Sequence, residues 1–365
     1  MGPGKLRTKI CVAPNSCVLF SLFRQSSFRV FGSPRMLPFK LVYREEYYLP
    51  IGEHVFPSAK YRLLHQYLLD QGVASPDDFA APAPATDDDV LRVHTPMYVN
   101  KLKTGTLSAR EELELEVPYS KELVDAFFLQ AGGSILAAEF ALNNRVCVHI
   151  GGGFHHAFAD HGEGFCVIND IAIAIRGMQA SGRIQRAMTV DCDVHQGNGT
   201  AAIFGEVEEP FPPPPAWSAG LTAPRKPAHM KQAHKGDVFT ISLHQENNYP
   251  VWKPPSSIDV NLPDGTPDAE YLAWLEKALM TGIEQFEPDL LCYVAGADPY
   301  REDQLGGLGL TIEGLKHRDE IVFRFARNNS IPVMVTLAGG YAVRLEDTIR
   351  IHANTVIAAK TVFSK

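Results

Sequence analysis

Asp191-Cys192-Asp193-Val194-His195 is the segment of this chain with the clearest capacity for chemistry. In an extended strand alternate side chains share a face, so Asp191, Asp193 and His195 point the same way. Two carboxylates and an imidazole converge at low cost only when a cation neutralises them. Mixed oxygen and nitrogen donors suit Zn²⁺ or Fe²⁺. The plainer alternative is a strand end whose polar groups bond to backbone. Gln196-Gly197-Asn198-Gly199 follows as a tight loop that lets backbone approach closely.

Three more polar clusters follow apolar segments. Gly151-Gly152-Gly153 precedes the pair His155-His156, which on a glycine-rich loop beside a metal would serve general acid–base work. Gly296-Ala297-Asp298 offers a further carboxylate; three protein ligands with an open position is the catalytic arrangement, although capping a turn is the commoner job of an Asp there. Ala338-Gly339-Gly340-Tyr341 offers a phenol that could donate to a developing oxyanion, with a packed aromatic as the ordinary alternative.

The elements that must position these clusters alternate along the chain. Strands are expected over 39–43, 145–150, 187–190, 238–243, 290–295 and 333–337. Helices are expected over 58–69 (Ser58 as a cap), 120–142, 169–180, 268–286, 311–328 and 345–359. Residues 74–89 read as loop, with a cap at Asp87 to Asp89. Strands apolar throughout, separated by amphipathic helices, predict a parallel sheet covered on both faces. In such sheets ligands bind at the carboxyl ends of the strands, which brings the four clusters to one place.

Bulk properties bound the rest. With 365 residues the chain can form one large α/β core or two modest domains. The net charge of -8 argues against direct nucleic-acid binding through phosphate neutralisation. No uninterrupted apolar run approaches the ~18 residues that span a bilayer. The six cysteines form no C-x-x-C pair and read as buried thiols of a reducing, intracellular, most simply cytoplasmic, setting. Residues 1–35 are basic and serine-containing; they read either as upstream sequence joined to a start at Met36 or as an organelle transit peptide, outside the fold in both cases. Residues 206–236, rich in Pro and Ala, read as a surface insertion or disordered loop.

Taken in order, GGGFHHA, GFCVINDIAIA (164–174), DCDVHQGNG, GAD and AGGY resemble the histone deacetylase superfamily, from about Met36 to the end apart from 206–236. SLHQENNYP (242–250) looks most like the bacterial and class IV branch. The resemblance implies the arginase/deacetylase fold: one α/β three-layer sandwich on a central, mainly parallel eight-stranded sheet, with 36–365 as the catalytic domain. It further implies Asp193, His195 and Asp298 as zinc ligands, His155 and His156 as the tandem histidines, and Tyr341 as the transition-state tyrosine. Asp191 matches the carboxylate behind the first histidine and, with Ser242 and Leu243, a structural potassium site. Phe165 matches one tunnel wall, and Gly164 a carbonyl that accepts from the substrate amide; Tyr249 lies near the other wall without a matched position. Asn198 departs from the class I pattern, which has an aspartate behind the second histidine, and its amide should leave His156 less basic.

The implied activity is metal-dependent hydrolysis of N-acetyl-lysine. Zinc polarises the carbonyl and activates water, His156 is the base, Tyr341 holds the oxyanion, and His156, alone or with His155, protonates the leaving amine. The expected partner is an acylated lysine peptide or a small acylated amine, with no nucleic acid and no membrane. Acetylpolyamines, long-chain acyl-lysines and a catalytically silent acyl-lysine-binding module are the competing readings. The sequence does not give the oligomeric state.

Overall fold

A computed structural model describes residues 1, 36–48, 51–52, 54–205 and 236–364. The expectations for 1–35 and 206–236 fall, except at residues 1 and 236, outside the described residues, as do Cys11 and Cys17. Ser33–Lys365 is one compact unit.

Eight strands form one sheet in the order β2-β1-β3-β8-β7-β4-β5-β6, all parallel: β1 (Leu41–Val42), β2 (Phe79–Ala80), β3 (Val146–His149), β4 (Ala187–Asp191), β5 (Val238–Gln245), β6 (Ile258–Leu262), β7 (Leu290–Val294) and β8 (Val333–Thr336). Alternation along each strand divides the side chains between two cores. Leu291 and Tyr293 of β7 pack with Val146, Val148, Val190, Ile241 and Val335 on one face. Leu290, Cys292 and Val294 pack with Cys147, Ala187 and Met334 on the other. Each face is then closed by helices, the arrangement that apolar runs without a polar face require.

One covering layer holds α1 (Ala59–Asp70), α8 (Asp268–Gln285), α9 (Ile312–Asn328) and α10 (Leu345–Phe363). The other holds α5 (Lys121–Asn144) and α6 (Asp170–Ala180). Between α1 and α5 run α2 (Asp87–Val90), α3 (Pro96–Thr104) and α4 (Ala109–Leu115); α7 (Asn198–Phe204) follows β4. Ser120, Asn169 and Thr311 cap α5, α6 and α9 through side-chain oxygens. Although no apolar run stands out in the sequence, α5 alone among the described residues is long and apolar enough to cross a membrane. Of its apolar window 72% is buried in the protein, the state of a core helix.

Two corrections concern short edge elements. Residues 74–89 are not all loop: they hold the two-residue β2, and Thr86, rather than 87–89, caps α2. β6 was absent from the sequence reading because Ile258–Leu262 lines only one side of the sheet and carries polar residues at 259 and 261. Both are edge strands, where the continuous apolar signal of a central strand disappears.

Candidate active site

The clusters converge at the carboxyl ends of β3, β4, β7 and β8, which are the central strands of the sheet. Below the histidine pair, Gly153 and Phe154 donate backbone N–H groups to the buried carboxylate of Asp170, and Gly152 donates to Gln130 Oε1. Gly152 and Gly153 have φ of +66° and +90°, and a Cβ on Gly153 would lie 2.6 Å from that of Ala338. Glycine at 153 is therefore demanded by both backbone conformation and space. The same loop is stitched to the end of β8, where Leu337 and Ala338 donate to the carbonyls of Gly151 and Gly152.

Asp193, His195 and Asp298 each present a donor atom, all within 4.8 Å of one another and all buried. His195 Nδ1 is 3.0 Å from Asp193 Oδ1 and 3.6 Å from Asp298 Oδ2. Asp298 Oδ1 accepts from the Val194 N–H, whereas Asp298 Oδ2 is buried with no hydrogen-bond partner. A bare carboxylate oxygen aimed at a second carboxylate and an imidazole is costly unless a cation completes it, so the donor set fits a divalent ion of zinc type. Glycines let backbone close around it: a Cβ at Gly339 would fall 1.9 Å from Asp298 Oδ2, and one at Gly296 would fall 2.7 Å from Asp193 Oδ2.

Asp191 departs from the expected convergence. It does not join the trio; its Oδ2 lies 2.6 Å from His155 Nδ1, and its Oδ1 accepts from the Asp193 N–H. The strand ends at Asp191, so strict alternation stops before Asp193. Asp191 pairs in register with Ser242, whose hydroxyl bonds His244 Nδ1, and Leu243 follows in β5; this is the neighbourhood in which the resemblance puts a potassium ion. Asn198 stands behind the second histidine, its Oδ1 2.7 Å from His156 Nδ1.

The electrostatics divide the pair. Burial opposes charge on His155, but Asp191 and Asp193 outweigh it and raise the imidazole to about 9. His156 is driven well below its ordinary value by burial, reinforced by His155 and His195. Asp298 rises to about 7 through burial and the nearby Asp193 carboxylate.

His155, His156, Asp193 and His195 line a cavity of ≈ 180 Å³ whose walls also include Phe165, Tyr249, Phe56 and Tyr341. That is below the roughly 300–1,000 Å³ of drug-sized pockets and suits a slender chain. Phe165 and Gly164 form the tip of a tight turn, φ +67° and +53°, closed by the Glu163–Cys166 bridge. The Phe165 ring lies 6.0 Å from that of Tyr341. Tyr249 supplies the wall the sequence left unassigned: its ring meets those of His156 at 5.0 Å and His195 at 6.2 Å.

Two residues beside the site escaped the sequence reading. Lys60 is fully buried, donates from Nζ to the Ala338 carbonyl at 2.5 Å and sits 5.7 Å from the Tyr341 ring centroid. Burial lowers its ammonium to about 8 despite Asp298 and Asp193. The signal was present: Lys60 shares the 60/64/68 stripe with Leu64 and Leu68, on the buried side of α1. Glu163 is the second; its Oε1 accepts from Asn198 Nδ2 and from the Tyr249 hydroxyl.

Fold and site together define an α/β protein of the arginase/deacetylase class. The histone deacetylase domain model matches residues 54–356, and the chain belongs to the histone deacetylase family, a family of amide hydrolases. An uncharacterized protein of the cyanobacterium Picosynechococcus is 36% identical over 89% of this chain and 99% of its own length. Histone deacetylase 2 of Arabidopsis thaliana is 31% identical over 83% of this chain and 73% of its own. Among solved structures, a histone deacetylase homologue complexed with SAHA superposes with a TM-score of 0.68 at 24% identity, covering 90% of this chain and 84% of that one. The homologue from Aquifex aeolicus gives 0.68 at 23% identity, covering 89% and 88%. The structural matches support the fold.

Proposed function

We propose that this protein is a zinc-dependent deacetylase that hydrolyses the amide of N-acetyl-lysine. The observation that carries the reading is Asp298 Oδ2, buried without a hydrogen bond beside Asp193 and His195, two residues that line one narrow cavity together with His156 and Tyr341. Asp193, His195 and Asp298 would hold the ion, which when bound polarises a carbonyl and makes water a better nucleophile.

The chain's own residues do the rest. The aromatic walls Phe165 and Tyr249 clasp an unbranched alkyl stem and exclude water from the reacting carbon. His156 donates through Nδ1 to Asn198 and presents Nε2 as the acceptor of the water proton. Its depressed basicity keeps it neutral, so Nε2 retains a free lone pair. Tyr341 donates its hydroxyl to the oxyanion. His155, whose basicity Asp191 raises, supports the developing negative charge from beside His156, and His156 returns its proton to the leaving amine. Gly164, at the tip of the turn, is the residue whose carbonyl we assign to the substrate amide.

Four described cysteines, all free and buried, go with a reducing intracellular compartment. An insertion at 206–236 that narrowed the entrance would favour a slender ligand such as an acetylpolyamine, and 206–235 lie outside the described residues. The test is a side-by-side assay of zinc-loaded protein on an acetyl-lysine peptide, acetylspermidine and a myristoyl-lysine peptide. Release of acetate from the first, abolished by exhaustive chelation and restored by zinc, is expected. Undiminished turnover after chelation, or preference for either other substrate, overturns the assignment.

A further inference from the structure

Behind His156 this chain has an amide where a carboxylate would fix the imidazole directly. Asn198 can turn either its oxygen or its NH₂ toward His156, and the two orientations select opposite tautomers. Something outside the pair must decide. Asn198 Nδ2 donates to Glu163 Oε1 at 2.8 Å. The same oxygen accepts from the Tyr249 hydroxyl at 2.7 Å, and Glu163 Oε2 lies 3.7 Å from His161 Nε2. Glu163 is mostly buried, its side chain 22% exposed. Burial works to raise its carboxyl, but the donors His161, Tyr249 and Asn198 hold it below its ordinary value.

We infer that Glu163 is a positioning residue that sets the tautomer of His156 through the amide of Asn198. An ionised carboxylate only accepts hydrogen bonds. It therefore takes the NH₂ of Asn198, and the planar amide must turn Oδ1 toward His156. Because Oδ1 also only accepts, His156 must carry its proton on Nδ1 and leave Nε2 bare on the cavity side. Glu163 thus does at one remove what a carboxylate next to the ring would do, without placing a second negative charge against it. The shared oxygen ties Tyr249 to the same anchor, so one side chain fixes both the base and a tunnel wall. The kinetic consequence rests on the proposed function; the tautomer is a property of the chain alone.

Glu163→Met removes the acceptor at similar length, Glu163→Gln retains one carbonyl oxygen, and Asn198→Asp in the E163M background makes the group behind His156 acceptor-only again. The readouts are kcat, KM, zinc content and the long-range ¹⁵N–¹H spectrum of histidine-labelled, zinc-loaded full-length protein, with His156 assigned from His156→Gln. The wild type should show His156 protonated at Nδ1. E163M should lose that pattern and about tenfold or more in kcat with zinc unchanged, and E163M/N198D should regain both. E163Q should stay near wild type, and Tyr249→Phe should raise KM while leaving the His156 pattern intact. A wild-type spectrum with His156 protonated at Nε2 overturns the inference, as does E163M with an unaltered spectrum. So does a folded, zinc-replete E163M/N198D that stays as slow as E163M. If no acyl-amine is hydrolysed at all, the functional reading fails and the spectra still decide the tautomer.

Discussion

His155 and His156 are neighbours on one loop, with ring centroids 4.1 Å apart, yet they sit in opposite electrostatic settings. Asp191 backs the first at 2.6 Å and, with Asp193, raises its basicity; Asn198 backs the second at 2.7 Å, where burial and the neighbouring imidazoles depress it. Two imidazoles this close resist being charged together. The carboxylates beside His155 favour a proton there, whereas burial and the two neighbouring imidazoles disfavour one on His156. Pairs pushed apart in this way are how acid and base roles are divided in one site.

The largest effect should come from disrupting the trio of two carboxylates and one imidazole in front of the pair. Asp193→Asn is expected to lose bound metal by elemental analysis and to bring turnover on acetyl-lysine peptide to background. Retained stoichiometric metal would unseat Asp193 as a ligand. Next, His156→Ala should cost roughly 10²–10⁴ in kcat, and a smaller loss than that from His155→Ala would reverse the roles assigned here. Tyr341→Phe should cut kcat by about 10²–10³ with metal content unchanged; full activity would remove the phenol from the mechanism.

Exchanging the backing groups sharpens the comparison further. Asp191→Asn should lower the basicity of His155, which ¹H–¹⁵N titration reads directly, and reduce turnover by about 10–100-fold. If the titration of His155 does not move, Asp191 is not what holds its charge. The smallest effect lies far from the site, at Asp78, which accepts from the backbone N–H groups of Met36, Leu37 and Ser75. Burial raises its carboxyl, but these donors outweigh it and the folded value is lowered. A depressed folded value means stability that is present above the unfolded value, ~3.9, and is lost as pH falls through the folded one. Asp78→Asn should cost about 1–3 kcal/mol at neutral pH and flatten that acid limb in denaturation curves, with kinetics unchanged. An unaltered acid limb would show that the anchor contributes nothing to the pH dependence.

Central strands were legible because burial on both faces leaves an apolar run that polar segments interrupt sharply. β3, β4, β5, β7 and β8 lie within a residue or two of the expected spans. The edge strands β2 and β6 were not, since a strand with one neighbour tolerates polar residues and short lengths. Residue type and the rule that strand ends gather ligands pointed to Asp191, Asp193 and His195, to Asp298 as a further carboxylate and to the histidine pair; the trio of Asp193, His195 and Asp298 was implied by the family resemblance. The structure brings them together.

By itself, then, the sequence determined which strands are buried, which glycines let loops close, and which side chains carry metal- and proton-binding atoms, because these follow from composition and spacing along the chain. Tertiary structure decided which of those atoms face one another. Asp191 turns to His155 instead of the trio, Tyr249 returns from the loop after β5 to wall the cavity, Lys60 is drawn under Tyr341, and Glu163 reaches Asn198 across 35 residues. Such pairings depend on distances between segments remote in the chain, and no local pattern encodes a distance across the fold.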